Sequence, residues 1–295
     1  MKECIHIVCA IDDSFVPHCG TMLASLFFNN QGDSFHIHIL SMNLLPENRI
    51  ELKDFIGLHF QGCSFYLVND ELFKAAPVDG HIKRASYYKI IIPDLLPRGI
   101  TKVLYLDSDL IIRERIVSLW NADLGRNVIG AAEEPMPDEH LMRLQIAASE
   151  SYFNAGVMLI NLSLWREENY TEKCMRFIRS DKLSIKYHDQ DVLNVVLKRK
   201  WFAIEKKWNV GHRYFYNSSD LYSDIEKEEL KQLKKNPGVV HFSGYSKPWS
   251  YWNSHPFKTE YLNYCLTTPW KNEAKFSLKK ILLETYAKIK VRSLN

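Results

Sequence analysis

The stretch Val103-Leu104-Tyr105-Leu106-Asp107-Ser108-Asp109 decides how this chain is read. Four apolar residues form the end of a buried strand, and that strand delivers two carboxylates to its tip. In an extended chain, positions two apart point the same way. Asp107 and Asp109 can therefore converge on one hard divalent cation, which prefers oxygen ligands. Taken alone, Asp-Ser-Asp reads equally well as a plain turn, because both residue types are common turn formers. The flanking pattern fixes the fold class. Short apolar runs, namely Ile5–Ile11, Phe35–Leu40, Ser64–Val68, Lys102–Leu106, Val128–Ala132, Gly156–Leu162 and Val239–Phe242, alternate with the amphipathic stretches Gly20–Asn29, Pro46–Phe55 and Arg84–Ile92. Strands alternating with helices predict an α/β chain with a mostly parallel central sheet and helices on both faces. Ligands on such sheets collect at the carboxyl ends of the strands. Pro135–Ser151 reads as a surface loop with a short helix, and Asn217–Asn236 as a loop followed by an exposed helix.

Four further polar clusters sit at or near strand or helix ends. In Val239-Val240-His241-Phe242-Ser243-Gly244-Tyr245-Ser246-Lys247-Pro248-Trp249, a strand ends in a histidine and a glycine loop carries a lysine. Imidazole suits a borderline metal such as Mn²⁺. Gly244 permits close backbone approach, and Lys247 is a mobile positive charge for phosphate. A buried histidine and a solvated lysine are the plain alternatives. In Tyr152-Phe153-Asn154-Ala155-Gly156-Val157, a polar amide precedes two small residues, a place where a sugar could enter, or simply a close-packed strand start. His188-Asp189-Gln190-Asp191 precedes a helical run and reads equally as a helix cap. Ala10-Ile11-Asp12-Asp13-Ser14-Phe15 ends the first strand, where Asp12 could bond a ribose or base and Phe15 could stack.

Composition excludes several classes. The chain has 295 residues, 46% hydrophobic and 25% charged, so wholesale disorder is excluded and a full core is available. Thirty-eight basic residues against 35 acidic ones leave +3, too little to argue for nucleic acid. Residues 271–295 hold seven Lys or Arg and two Glu, so the positive charge is concentrated at the end, with little of the aromatic interleaving nucleic-acid binding uses. The six cysteines show no paired spacing, so no zinc module or dithiol site is expected, and their scatter fits a reducing compartment. The first apolar run is short, contains His6 and ends at Asp12-Asp13, so it is not read as a signal peptide. No apolar stretch is long enough for a membrane-spanning helix.

Together, Ala10-Ile11-Asp12-Asp13, Lys102 through Asp109, Tyr152 through Val157, Asp189-Gln190-Asp191-Val192-Leu193-Asn194 and His241 through Trp249 resemble, in the same order, the family 8 retaining glycosyltransferases of the GT-A fold. The resemblance covers about the first 255 residues. It implies a nucleotide-sugar-binding domain over 1–255, with a helical C-terminal extension over 256–295. It further implies a UDP-glucose or UDP-galactose donor and Mn²⁺, with Mg²⁺ as the alternative ion, held by Asp107, Asp109 and His241. By the same resemblance Asp12, Ser14 and Phe15 would lie against uridine, Gly244 and Lys247 would face the diphosphate, and Asn154, Ala155, Asp189 and Gln190 would surround the donor sugar, with Ala10 and Ser108 also among the substrate-binding residues. Gln190 and Asp189 are the catalytic candidates, with Gln190 near the far face of the anomeric centre. Two positions depart from the family pattern. Lys89 stands where arginine is usual, which keeps the charge and loses the bidentate fork, and Glu134 stands where aspartate is usual. Both are expected on the acceptor or phosphate side.

The expected activity is hexosyl transfer to a glycan acceptor in lipopolysaccharide or surface-glycan synthesis, in the cytoplasm. A protein-linked glycan or a glycogenin-like primer is the alternative acceptor, and a UDP-sugar-binding protein without turnover is the alternative class. In 276–291, Phe276, Leu278, Ile281, Leu282, Thr285 and Ile289 approximate helical spacing with Lys279, Lys280, Lys288 and Lys290 between them. A basic amphipathic helix of this kind can lie on an anionic membrane, on the inner face of the cell membrane, or pack on the body.

Overall fold

The computed structural model describes residues 3–59, 61–78, 84–147, 149–216, 224–276, 281–282 and 284–285. Its strands are β1 (Ile5–Ala10), β2 (Phe35–Ser41), β3 (Gly62–Leu67), β4 (Lys102–Leu106), β5 (Leu110–Ile112), β6 (Ile129–Glu133), β7 (Phe153–Asn161), β8 (Trp201–Ile204) and β9 (Val239–His241). Seven of them form one sheet in the order β3-β2-β1-β4-β7-β6-β8, and β5 pairs with β9 in a separate ladder. β3, β2, β1 and β4 run parallel, as do β6 and β8, while β7 is antiparallel to both neighbours.

The alternation of side chains explains why both faces are covered. Ile5, Ile7 and Cys9 of β1 and Leu104 and Leu106 of β4 join one core, with the helices Val16–Asn29 and Pro46–Leu58. Val8, Val103 and Tyr105 point the other way, into a second core with Leu162–Glu167, Tyr170–Ser180 and His188–Val196. Strands buried on both sides need near-continuous apolar runs, which is what β1, β4 and β7 supply. The alternation of strands and helices thus gives the mostly parallel α/β sheet expected, with one reversed strand inside it.

Local differences from expectation have plain causes. The first helix starts at Val16 rather than Gly20, because Pro17 occupies its first turn, where the missing N–H is not needed. Arg84–Ile91 is a 3₁₀ segment rather than an α-helix, and Pro93 sits in the first turn of the short helix Ile92–Leu95 that follows. β5 and β8 were not expected; they are three and four residues long. The loop over 135–151 carries the short helix Asp138–Arg143, and Asp224–Lys235 is helical.

The described residues beyond 255 pack onto the same body. The helix Lys258–Leu266 lies on Val16–Asn29, the Tyr261 hydroxyl and His18 Nδ1 are 2.8 Å apart, and the Trp270 ring fills the space a side chain at Gly20 would need. Of the basic tail, Phe276 meets the Tyr251 ring and Glu284 accepts from Ser250 Oγ and from the Tyr251 N–H. Leu278, Lys279, Lys280, Lys288, Ile289 and Lys290, on which the amphipathic reading rests, lie outside the described residues. No helix among the described residues is long and apolar enough to cross a membrane.

Candidate active site

The reversed strand brings the site together. Because β7 runs antiparallel to β4, its N-terminal residues Asn154–Gly156 arrive at the edge where β1 and β4 end. Leu106 pairs with Val157, and the next N–H, that of Asp107, donates to Gly156 O at 2.8 Å. The chain then turns through Ser108 and Asp109 into β5. There Leu110 pairs with His241 of β9, and the Phe242 N–H donates to Asp109 O at 2.9 Å. A short ladder between distant segments thus sets the histidine beside the two aspartates.

One ligand atom from each of Asp107, Asp109 and His241 lies within 4.8 Å of the other two. His241 Nε2 is 3.3 Å from Asp109 Oδ1 and 3.8 Å from Asp107 Oδ2. Two carboxylates and one imidazole suit a divalent cation of the Mn²⁺ or Mg²⁺ type. The floor of the cluster is Gly156. A Cβ there would fall 2.3 Å from His241 Cε1 and 2.9 Å from Asp107 Oδ2, so the two ligands occupy the space that any other residue would fill. Ser108 is buried between the aspartates.

Two lysines hold the carboxylates, Lys247 on Asp109 and Lys89 on Asp107. Lys247 Nζ donates to Asp109 Oδ2 at 2.6 Å and to Phe242 O at 2.8 Å. Burial opposes ionisation of Asp109, but Lys247 and His241 outweigh it and hold that carboxyl well below its usual range. Lys89 is only 2% exposed. Its ammonium lies 2.8 Å from Asp189 Oδ2 and 3.3 Å from Asp107 Oδ1, donates to Ala155 O at 3.1 Å, and sits over the Tyr105 ring. Burial pulls Lys89 towards the neutral amine. Asp107 and Asp189 more than restore it, so it remains an ammonium. The Tyr105 hydroxyl donates to the same Asp107 oxygen at 2.6 Å, and burial followed by Asp107 pushes that phenol up. Lys89 is thus a buried cation beneath the cluster, joining a metal-ligand candidate to Asp189.

The sugar-side candidates are also mutually engaged. Gln190 Oε1 accepts from the Ala155 N–H at 3.1 Å, and its Nε2 donates to the Tyr152 hydroxyl at 3.2 Å. Tyr152 in turn donates to Asp191, a fully buried carboxylate that also accepts from the Lys186 and Tyr187 N–H groups and lies 2.8 Å from His140 Nε2. Asp191 anchors the start of the helix that carries Asp189 and Gln190. Asn154 is buried; its Nδ2 donates to Glu134 Oε2 and its Oδ1 accepts from the Gly156 N–H and from Asn209 Nδ2. Glu134 meets Arg213 Nε at 3.2 Å; burial pushes its carboxyl above the ordinary range, against the pull of Asn154 and Arg213. Asn209 Oδ1 lies 2.9 Å from His241 Nδ1. Asn209, Arg213 and Tyr105 carry no signal that a single sequence displays; each matters through a partner far along the chain or on the strand itself.

The remaining candidates line the end of β1 and the loop after β9. Asp12 accepts from both the N–H and the hydroxyl of Ser14, at 2.9 and 2.6 Å, in a half-buried turn just past Ala10. Phe15 meets His18 and Trp249 edge-on, and His18 stacks on Trp249 with ring centres 3.4 Å apart. These rings tie the β1 end to the loop holding half-buried Gly244 and Lys247.

The model of glycosyl transferase family 8 matches residues 6–253. General stress protein A of Bacillus subtilis is 30% identical over 272 residues, 91% of this chain and 95% of that protein. A lipopolysaccharide 1,3-galactosyltransferase of Salmonella typhimurium is 26% identical over 275 residues, 90% and 79% of the two chains. The crystal structure of the galactosyltransferase LgtC, in complex with donor and acceptor sugar analogues, superposes with a TM-score of 0.83 at 24% identity, covering 91% of this chain and all of that one. The reversed strand, the paired aspartates and the match along nearly the whole body lead to one assignment: the chain belongs to glycosyl transferase family 8.

Proposed function

We propose that this glycosyltransferase moves a hexose, glucose or galactose, from its UDP conjugate to a glycan acceptor with retention at the anomeric carbon. Mn²⁺, or Mg²⁺ in its place, would be held by Asp107, Asp109 and His241. The observation that carries the reading is the meeting of those three ligand atoms within 4.8 Å at a strand edge, with an ammonium 2.6 Å from Asp109. When bound, the ion supplies Lewis-acid neutralisation of charge growing on the departing diphosphate.

Each residue then has a task that follows from its place. Lys247 adds positive charge on the same side and is already anchored by the Phe242 carbonyl, so little reorganisation is needed. Asp12 and Ser14, in a turn that organises itself, face the uridine with Phe15. Gln190, its amide fixed by Ala155 and Tyr152, presents an oxygen dipole to the anomeric centre. An amide is a poor nucleophile, so the favoured course is departure and attack on one face, the leaving phosphate oxygen accepting the acceptor hydroxyl's proton. Asp189 and Asn154 complete the sugar pocket with Ala155. Residues 1–255 are proposed as the transferase unit and 256–295 as its extension, acting in the cytoplasm at the inner membrane face. The names of relatives acting on lipopolysaccharide support a surface-glycan acceptor.

UDP-glucose, UDP-galactose and the UDP-N-acetylhexosamines, offered with and without Mn²⁺, test the donor. Hydrolysis of one hexose donor that needs the metal and vanishes in Asp107→Asn is the expected result, and proton NMR of the transfer product reads the anomer. A protein that binds UDP-hexose yet never releases UDP is a binding protein instead.

A further inference from the structure

The chain of side-chain amides behind His241 has a direction, and that direction begins at a backbone group whose role is not open to choice. The Gly156 N–H can only donate, so the Asn154 side-chain atom it meets at 2.9 Å is the acceptor, Oδ1. Asn154 must then turn its Nδ2 towards the Glu134 carboxylate, the arrangement observed. Asn209 meets the same Asn154 Oδ1 at 2.8 Å and must offer its own Nδ2 there. That leaves Asn209 Oδ1 facing His241 Nδ1 at 2.9 Å. An oxygen at this position accepts only, so His241 Nδ1 must carry the proton. The other ring nitrogen, Nε2, is then the one through which a neutral His241 can bind a metal, and it is the atom aimed at Asp109 and Asp107.

We infer that Asn209 is a positioning residue that fixes His241 in the one tautomer able to bind a metal, with Asn154 and the Gly156 N–H fixing Asn209. Its role rests on the proposed metal site and deepens it. Several features argue that this is the task of Asn209 rather than incidental packing. Asn209 is 1% exposed and its amide is engaged at both ends. It closes the 3₁₀ turn Lys206–Asn209, whose Trp208 is buried in the core, so its backbone cannot drift. Asn154 is thereby tied to the metal ligand, in addition to any contact with sugar. Groups that orient a metal-bound histidine through its second nitrogen raise the ligand's basicity and fix its ring, and their removal weakens metal binding about 10–100-fold.

Two measurements test the assignment. In the metal-free protein with ¹⁵N-labelled histidine, NMR should show His241, assigned by the signal lost in His241→Gln, protonated at Nδ1 whatever the state of Nε2. The opposite tautomer overturns the inference. Mn²⁺ uptake, followed by loss of the free-ion EPR signal, should weaken at least tenfold in Asn209→Leu, which is close to isosteric. In Asn209→Asp, which keeps an acceptor for His241 but sets an oxygen against Asn154 Oδ1, uptake should stay within a few-fold of wild type. A purely structural role predicts the reverse order, since the aspartate then creates the worse contact. Wild-type protein that takes up no Mn²⁺ overturns the metal reading and the inference together. Wild-type uptake matched by Asn209→Leu leaves the metal reading standing and overturns the role of Asn209 alone.

Discussion

Replacing Lys89 by methionine isolates the buried charge beneath the cluster. Methionine keeps the length and the packing over Tyr105 but removes the ammonium 2.8 Å from Asp189 and 3.3 Å from Asp107. Breaking a buried ion pair from one side costs about 3–5 kcal/mol, because a charge is left unpaired. The two carboxylates do not share that cost equally. The Asp107 side chain is 27% exposed and gains from solvent, whereas that of Asp189 is 8% exposed and has lost the cation paired with it. The lower end, about 3 kcal/mol, is therefore expected, and at roughly 2–4 °C per kcal/mol the midpoint should fall by about 6–12 °C. The variant also sharpens a pH signature. Burial already holds the Asp189 carboxyl above its ordinary value against the pull of Lys89; without Lys89 it rises further, so the folded variant binds a proton that the unfolded chain has already released. Its deficit against wild type is then largest near neutrality and shrinks as pH falls towards the ordinary aspartate range. Urea denaturation of both proteins between pH 5 and 8, followed by circular dichroism, measures this. A deficit below about 1 kcal/mol, or one indifferent to pH, would show that Lys89 is not the counter-charge described.

Gly156→Ala should leave the circular dichroism spectrum intact while lowering Mn²⁺ affinity at least tenfold by calorimetry, because its Cβ would force His241 and Asp107 apart. Acid should destabilise the protein through the histidines His6, His36 and His38 that face one another across β1 and β2, with Tyr66 and Glu3 beside them. Burial first, then the neighbouring imidazoles, lowers His38 to about 3; the unfolded chain takes up that proton below its ordinary value while the fold does not. Stability is full above about pH 6.5 and is lost as pH falls, by at most about 1.4 kcal/mol per pH unit per histidine, and His38→Gln should flatten that slope in chemical denaturation. The full chain should float with anionic vesicles and a chain lacking residues 271–295 should not, while a soluble acceptor still reacts; retention of the shortened chain would place membrane contact elsewhere, and a full chain that does not float has none.

How much of this was legible in the sequence follows from what each residue has to do locally. β4 and its two aspartates could be read because an apolar run and a two-residue spacing are both short-range features. The reversal of β7 could not, since Phe153–Asn161 is buried along nearly its whole length and such a run reads the same in either direction. β5 and β8 are three and four residues long, too short for any period to show. The metal-site place of His241 came only through the resemblance, because no local rule joins it to Asp109 across so much chain. Lys89 was expected at the acceptor or phosphate side, yet it stands between Tyr88 and Ile90 in a stretch apolar on both sides, and that flanking pattern is the mark of burial. Asn209 acts through hydrogen-bond direction, which residue type and spacing do not encode.

The ladder of β5 against β9 also has a consequence in time. Leu110 finds His241 only after every intervening residue has left the ribosome, so the nascent chain emerges with its aspartates long before their third partner exists. Until then Asp107 has Lys89 and Tyr105 for partners while Asp109 has neither Lys247 nor His241, so a translation product that stops short of β9 lacks the third arm of the cluster. Catalytic competence in this architecture arrives late and all at once.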